Sequence, residues 1–188
     1  DARFSENGPG WGDVIDLALG VYLLSQYNAS ADDPRDPALV KRLTRNLLAR
    51  AAKCVKTGET NLHGRPLGGE PQHWFWGCNG NVASQTFQLH LADRLQPDER
   101  YRATAQLALG HLFGRNYHGR SYVTGLGSQP PQHPHDRRGE PAWPGYLVGG
   151  PWPDGRSWVD ERGSYERNEI AINWNAALIY ALAAFVEP

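Results

Sequence analysis

Apolar residues recur along this chain with a helical period and nowhere with the strict alternation of a half-buried strand. The segment GDVIDLALGVYLLSQY places Val14, Leu17, Ala18, Val21 and Tyr22 on one helical face. In PALVKRLTRNLLARAAKCVK, Pro37 suits a first helical position, and Val40, Leu43, Leu47, Ala51 and Cys54 follow in register. NVASQTFQLHLADRL carries Val82, Ala83, Phe87 and Leu91. PDERYRATAQLALGHLFG begins at Pro97, has acids in its first turn and stops at Gly114. NEIAINWNAALIYALAAFV is apolar nearly all round, which predicts a helix buried between neighbours. The pattern predicts an all-α chain of five helices.

Between the fourth and fifth helices lie residues 115–165, rich in Gly, Pro and aromatics. A connection of roughly 50 residues in a helical domain is either functional or disordered. Tyr122, Trp143, Tyr146, Leu147, Val148 and Trp158 argue against disorder, so an ordered loop region walling a cleft is expected. Its centre is QPPQHPHDRRG, residues 129–139, with three prolines, two histidines, an aspartate and two arginines. Prolines at that spacing exclude a helix or a regular strand. They also fix the backbone, which suits groups that must be placed in advance.

Composition narrows the picture. The chain has 188 residues, a net charge of −1 and a pI near 6.7, which gives no ground for a nucleic-acid or membrane partner. No apolar run approaches the ~20 residues that span a bilayer. The start, DARFSENGPGWGD, lacks the basic and apolar regions of a signal peptide, and the absence of any Met suggests a processed or partial chain. Cys54 and Cys78 read as buried free thiols, with a disulfide as the second reading. Neither CxxC nor HExxH occurs, so no metal site is assigned. Seven Trp, eight Tyr and five Phe, several of them in loops, suit flat, partly apolar ligands such as sugar rings.

Three segments are candidates for chemistry. In SYERNEIAINWN, Asn168 is placed to cap the last helix, with Glu169 in its first turn. Glu169 is then either a surface glutamate favoured by the helix dipole or a carboxyl at the edge of an aromatic site. His133, His135, Arg137 and Arg138 are either a solvated basic patch or donors for a hydroxyl-rich ligand, with a His-x-His metal site as a third reading. HWFWGCNGN, residues 73–81, is either helix-entry packing or a sugar-stacking platform. The glycine-rich LFGRNYHGRSYVTGLGSQPP lacks the spacing of a phosphate loop.

Together these segments resemble glycoside hydrolase family 9, the inverting cellulase family. HWFWGCNGNVAS is similar to that family's aromatic-Trp-Gly-Ser-Asn motif. LFGRNYHGRSYVTGLGSQPPQHPHDRR resembles its first signature, which runs from Leu-Gly-Arg-Asn to Pro-His-His-Arg. GYLVGGPWPDGRSWVDERGSYERNEIAINWNAALIYALA resembles the second, with its Asp, Tyr, Asn-Glu and closing helix. The likeness runs in family order from about residue 10 to about residue 186.

The resemblance implies part of an (α/α)6 barrel with long ordered loops, and residues 1–188 as the C-terminal portion of the catalytic domain. It implies Glu169 as general acid and His135 and Arg137 as substrate contacts. Tyr165 would line the cleft, with Trp74 and Trp76 as looser aromatic matches. Asp136 stands where the family has a second His, and His133 where a basic residue is common. The family's base belongs to an Asp-x-x-Asp motif. Asp33 and Asp36 have that spacing, around Pro34 and Arg35 in an interhelical connection, and they sit in the wrong place. Inverting hydrolysis needs two carboxyl groups ~6.5–9.5 Å apart with a water between them. The expected partner is therefore the N-terminal half of the same domain, with an oligo- or polysaccharide as substrate. A secreted or periplasmic setting is implied, and no required cofactor. Structural calcium is common in the family, but no ligand set is readable. An exo-acting enzyme of the same fold remains the first alternative, either a cellobiohydrolase or an exo-β-glucosaminidase that would use Asp136 for an ammonium group. A non-catalytic carbohydrate-binding protein is the second.

Overall fold

The computed structural model describes residues 2–25, 35–139 and 141–186. Among the described residues six α-helices follow in order: α1 (Ile15–Leu24), α2 (Pro37–Thr60), α3 (Cys78–Leu95), α4 (Glu99–Leu112), the single turn α5 (Tyr165–Asn168) and α6 (Ile172–Ala183). Among the described residues there is no strand, only three isolated bridges within the loops. The C-terminal end predicted for the first helix, Gln26 and Tyr27, and the candidate Asp33 lie outside the described residues.

Helix α2 forms as its sequence dictates. Asp36 caps it by accepting from the Ala38 N–H, Pro37 opens it, and Leu43, Leu47, Ala51, Cys54 and Val55 form the buried stripe. Asp98 caps α4 in the same way, so that helix starts at Glu99 rather than at Pro97. Helix α3 is the centre, packed by α2, α4 and α6 and buried on all sides. Its polar residues are therefore inside as well. Gln88 donates to Asp16 Oδ2 at 2.8 Å and to the Ser5 carbonyl at 2.9 Å. The Ser5 N–H and hydroxyl complete the coordination of the buried Asp16 carboxylate. Buried polar groups are tolerated when paired in this way.

That polar anchor corrects the predicted face of α1. Asp16, Leu19, Gly20 and Leu23 face α3, while Val14, Leu17, Ala18 and Val21 are exposed. The helix is apolar on two sides, and periodicity selected the side without the aspartate. Gly20 lies where Phe87 and Leu91 leave no room for a side chain. A second correction concerns α6, expected to be buried all round. It packs through Trp174, Ala177, Leu178 and Ala181, but Ile172 is 91% exposed and Ile179 67% exposed. Helices α1 and α6 thus border one open apolar face, with a groove of about 230 Å³ between Val14, Leu17, Phe87, Ala177 and Tyr180.

One core cluster gathers Phe4 with residues of α1, α2, α3 and α4. The other joins α3, α4 and α6 to the long loop through Tyr122, Val123, Leu147, Val148 and Trp158. The predicted loop region is ordered by this burial, although Trp143 is exposed. Cys54 and Cys78 are free and buried, and burial pushes the Cys54 thiol up to about 11. No helix among the described residues is long and apolar enough to cross a membrane.

Candidate active site

Glu169 stands at a junction rather than in the helix predicted for it. The α5 turn ends at Asn168, Glu169 has extended backbone (φ −64°, ψ 148°), and α6 starts only at Ile172. Asn168 does not cap α6, because that helix starts further along the chain, with Ala171 at its cap position. The Asn168 side-chain amide donates to the His133 carbonyl at 2.7 Å and to Asp160 Oδ1 at 3.3 Å, and its carbonyl accepts from the His135 N–H at 2.7 Å. His135 and Glu169 therefore pair as a short parallel bridge, and Val148 pairs with Ile170 beside it.

The proline-rich loop is held from below by Asp160. Its Oδ2 accepts from the Gln132 N–H at 2.8 Å and from Arg120, and its Oδ1 accepts from the His133 N–H at 3.0 Å. His135 Nδ1–H donates to the Arg162 carbonyl at 2.9 Å; a carbonyl only accepts, so in the neutral ring Nε2 is left as the acceptor. Arg162 in turn donates to the Asp136 carbonyl at 2.7 Å. The Asp136 carboxylate is paired with Arg138 at 2.9 Å, and these hydrogen bonds hold its pKa below the ordinary aspartate value. Arg138 also covers the rings of Trp143 and Tyr146. Arg137, between the two partners of that pair, is exposed.

Aromatic rings surround the carboxyl. Tyr165 lies 5.4 Å from Trp76 and 6.1 Å from His135, centroid to centroid. The Trp76 indole N–H donates to Glu169 Oε2 at 2.9 Å. The structure thus brings Glu169, His135, Tyr165 and Trp76 together, with Arg137 and His133 on the adjoining loop. Trp74 is set in a different wall. Arg65 stacks over its ring at 4.0 Å, its N–H donates to the Gly69 carbonyl, and it lines a groove of about 420 Å³ with His63, Tyr117 and Asp154. The aromatic segment therefore divides: Trp74 and Phe75 pack against the core while Trp76 faces the carboxyl.

The sequence reading did not single out the residues that fix these positions. Asn79, Gly149 and Glu169 are joined by backbone bonds: the Asn79 N–H donates to the Gly149 carbonyl at 3.0 Å, and the Gly149 N–H to the Glu169 carbonyl at 2.9 Å. Trp174 lies against Gly77 and Gly80 so closely that a Cβ at either position would clash with its ring. Gly77 also has a left-handed backbone, φ 84°, which favours glycine. No group of three His, Cys, Asp or Glu side chains suited to a metal occurs among the described residues, so the histidine pair gains no third ligand there.

Comparison with known proteins bears on the family and the fold. The profile of the family described as Glycosyl hydrolase family 9 matches residues 3–182. Endoglucanase D of Acetivibrio thermocellus is 50% identical over 182 residues, covering 94% of this chain and 28% of the relative. A xyloglucan-specific endo-beta-1,4-glucanase of Bacteroides ovatus is 36% identical, covering 95% of this chain and 33% of the relative. The chain thus spans about a third or less of the curated relatives it matches. Among solved structures, a Bacteroides ovatus family 9 protein superposes with a TM-score of 0.85 at 35% identity, over 98% of this chain and 34% of that one. A metagenome-derived family 9 endoglucanase gives 0.84 at 32% identity, over 95% of this chain and 34% of that one. The helices described above are part of the (α/α)6 barrel of those structures.

Proposed function

The chain belongs to glycosyl hydrolase family 9, and on that premise we propose that it supplies the acid side of an inverting β-1,4-glucanase site. The observation that carries the reading is the setting of Glu169. Its carboxyl emerges from a backbone junction beside His135, Tyr165 and Trp76, on a surface open to a polymeric substrate. In the proposed reaction Glu169 gives its proton to the glycosidic oxygen as the C–O bond breaks. Water attacks the anomeric carbon from the opposite face and passes its proton to a base, giving a product of inverted configuration. Proton transfer and water suffice, so no cofactor enters.

The base is proposed to come from outside this chain. Three acids of these loops are engaged: Asp136 with Arg138, Glu166 with Arg167, and Asp160 with the loop backbone and Arg120. The remainder of the catalytic domain, carrying an aspartate, is the proposed partner, and the open face of α1 and α6 is where apolar helices would pack. His135 Nε2 and Arg137 are proposed to orient the sugar at the scissile bond, with Tyr165 and His133 beside them. Trp74 would serve only a more distant part of the chain of sugars. The engagement of Asp136 by Arg138 disfavours recognition of a glucosamine ammonium group.

The test is to assay the chain alone and combined with the N-terminal half, with proton NMR following the product anomer. The reading expects no turnover of a soluble β-1,4-glucan by the chain alone, and α-anomer first from the complete domain. Full activity of the chain alone, or β-anomer first, would refute it.

A further inference from the structure

The geometry points to Trp76 as the residue that selects which oxygen of Glu169 carries the transferable proton, an inference that rests on the proposed role of Glu169 as general acid. The indole N–H can only donate, and it is aimed at Glu169 Oε2 at 2.9 Å. A carboxylic acid has one hydroxyl and one carbonyl oxygen, and the carbonyl oxygen is the better acceptor. An N–H fixed on Oε2 therefore favours the tautomer with the proton on Oε1. Trp76 is a positioning residue in this account, since it acts through Glu169.

The two partners are fixed to each other through independent contacts. Trp76 is followed by Gly77 in a left-handed conformation, and the ring of Trp174 from α6 closes over Gly77 and Gly80. The first turn of α3 is tied to the Glu169 backbone through Gly149, whose carbonyl accepts from the Asn79 N–H and whose own N–H donates to Glu169. Tyr165, four residues before the acid, packs its ring on the indole. Trp76 as a whole residue remains 48% exposed, which leaves room for a sugar to stack on it while the N–H is engaged. A stacking role needs the ring; the positioning role needs the N–H. Trp76→Phe removes only the second.

The experiment uses the complete catalytic domain and two substrates. Cellohexaose has an alkoxide-type leaving group that requires protonation, whereas 2,4-dinitrophenyl β-cellobioside releases a phenolate that does not. Trp76→Phe is expected to lower kcat on cellohexaose roughly ten- to a hundredfold, the worth of a hydrogen bond to a charged or acidic group. KM and the turnover of the dinitrophenyl substrate should stay within about threefold. Because both substrates are measured on one preparation, a partly folded variant lowers both rates and leaves their ratio unchanged. Equal losses on the two substrates, or none on either, would overturn the inference. Glu169→Gln measured in parallel separates the two levels of the account. If it too loses both substrates equally, the acid assignment itself fails. If it loses cellohexaose selectively while Trp76→Phe does not, only the role of Trp76 fails.

Discussion

The peptide N–H of His135 donates to the carbonyl of Asn168 at 2.7 Å, one residue before Glu169. The histidine loop and the carboxyl segment therefore share a backbone contact, and Asp160 fastens both to the body of the protein. Asp160 accepts from the backbone of residues 132 and 133, from Arg120 and from the Asn168 side chain. Its side chain is 12% exposed, so few waters can replace it. Asp160→Ala is expected to cost about 1–3 kcal/mol in urea unfolding, because four donors lose their common acceptor. An unchanged midpoint would show that the loop needs no such brace.

Gly80 faces Trp174 without space for a methyl group. Gly80→Ala should destabilise the fold by about 1–3 kcal/mol through overpacking. Adding Trp174→Leu should recover part of that loss, giving a non-additive double-mutant cycle. Strict additivity would contradict the tight contact between α3 and α6.

The cap of α4 sets a pH dependence. Hydrogen bonds from the Arg100 side chain and backbone N–H lower the Asp98 pKa from an ordinary 3.8 to about 2. A depressed carboxylate contributes stability that is fully present above its unfolded value and is lost as pH falls through the folded one. Asp98→Asn keeps a capping oxygen but cannot titrate. The stability gap between the two proteins should therefore be constant near neutrality and shrink between about pH 4 and about pH 2. A gap that does not change over that range would contradict the assignment.

The open face of α1 and α6 presents Val14, Val21, Ile172 and Ile179 to solvent. A contiguous apolar surface of this kind promotes association. The chain alone should self-associate or bind a hydrophobic dye in chromatography and fluorescence. Ile172→Glu with Ile179→Glu should reduce both signals at little cost in stability, since those side chains are exposed. A dye-silent monomer would argue that the face needs no partner.

Much of the helical framework was legible in the sequence because α2 and α4 carry single apolar stripes and local caps at Asp36 and Asp98. The face of α1 was misread because both of its sides are apolar, and the deciding contact, Asp16 to Gln88, joins residues far apart in the chain. The exposure of α6 was hidden for a similar reason: an all-apolar helix looks the same whether or not neighbours cover every side. Glu169, His135 and Tyr165 were singled out through motif likeness, and the structure brings them close to one another. The displacement of Glu169 out of α6 was not readable, since the groups that hold Asn168 in place, His133, Asp160 and His135, come from outside its own segment. Trp76 was legible as an aromatic, but its N–H contact to Glu169 spans 93 residues and leaves no local signal.

The most direct measurement of the central claim is the effect of Glu169→Gln in the complete catalytic domain. Turnover of cellohexaose and its binding should be followed on the same preparation. The account predicts a fall in turnover of roughly 10²–10⁴-fold with binding by calorimetry nearly unchanged, as befits loss of a proton donor from a preserved site. Turnover close to that of the unsubstituted domain would contradict it and remove Glu169 from the role of general acid.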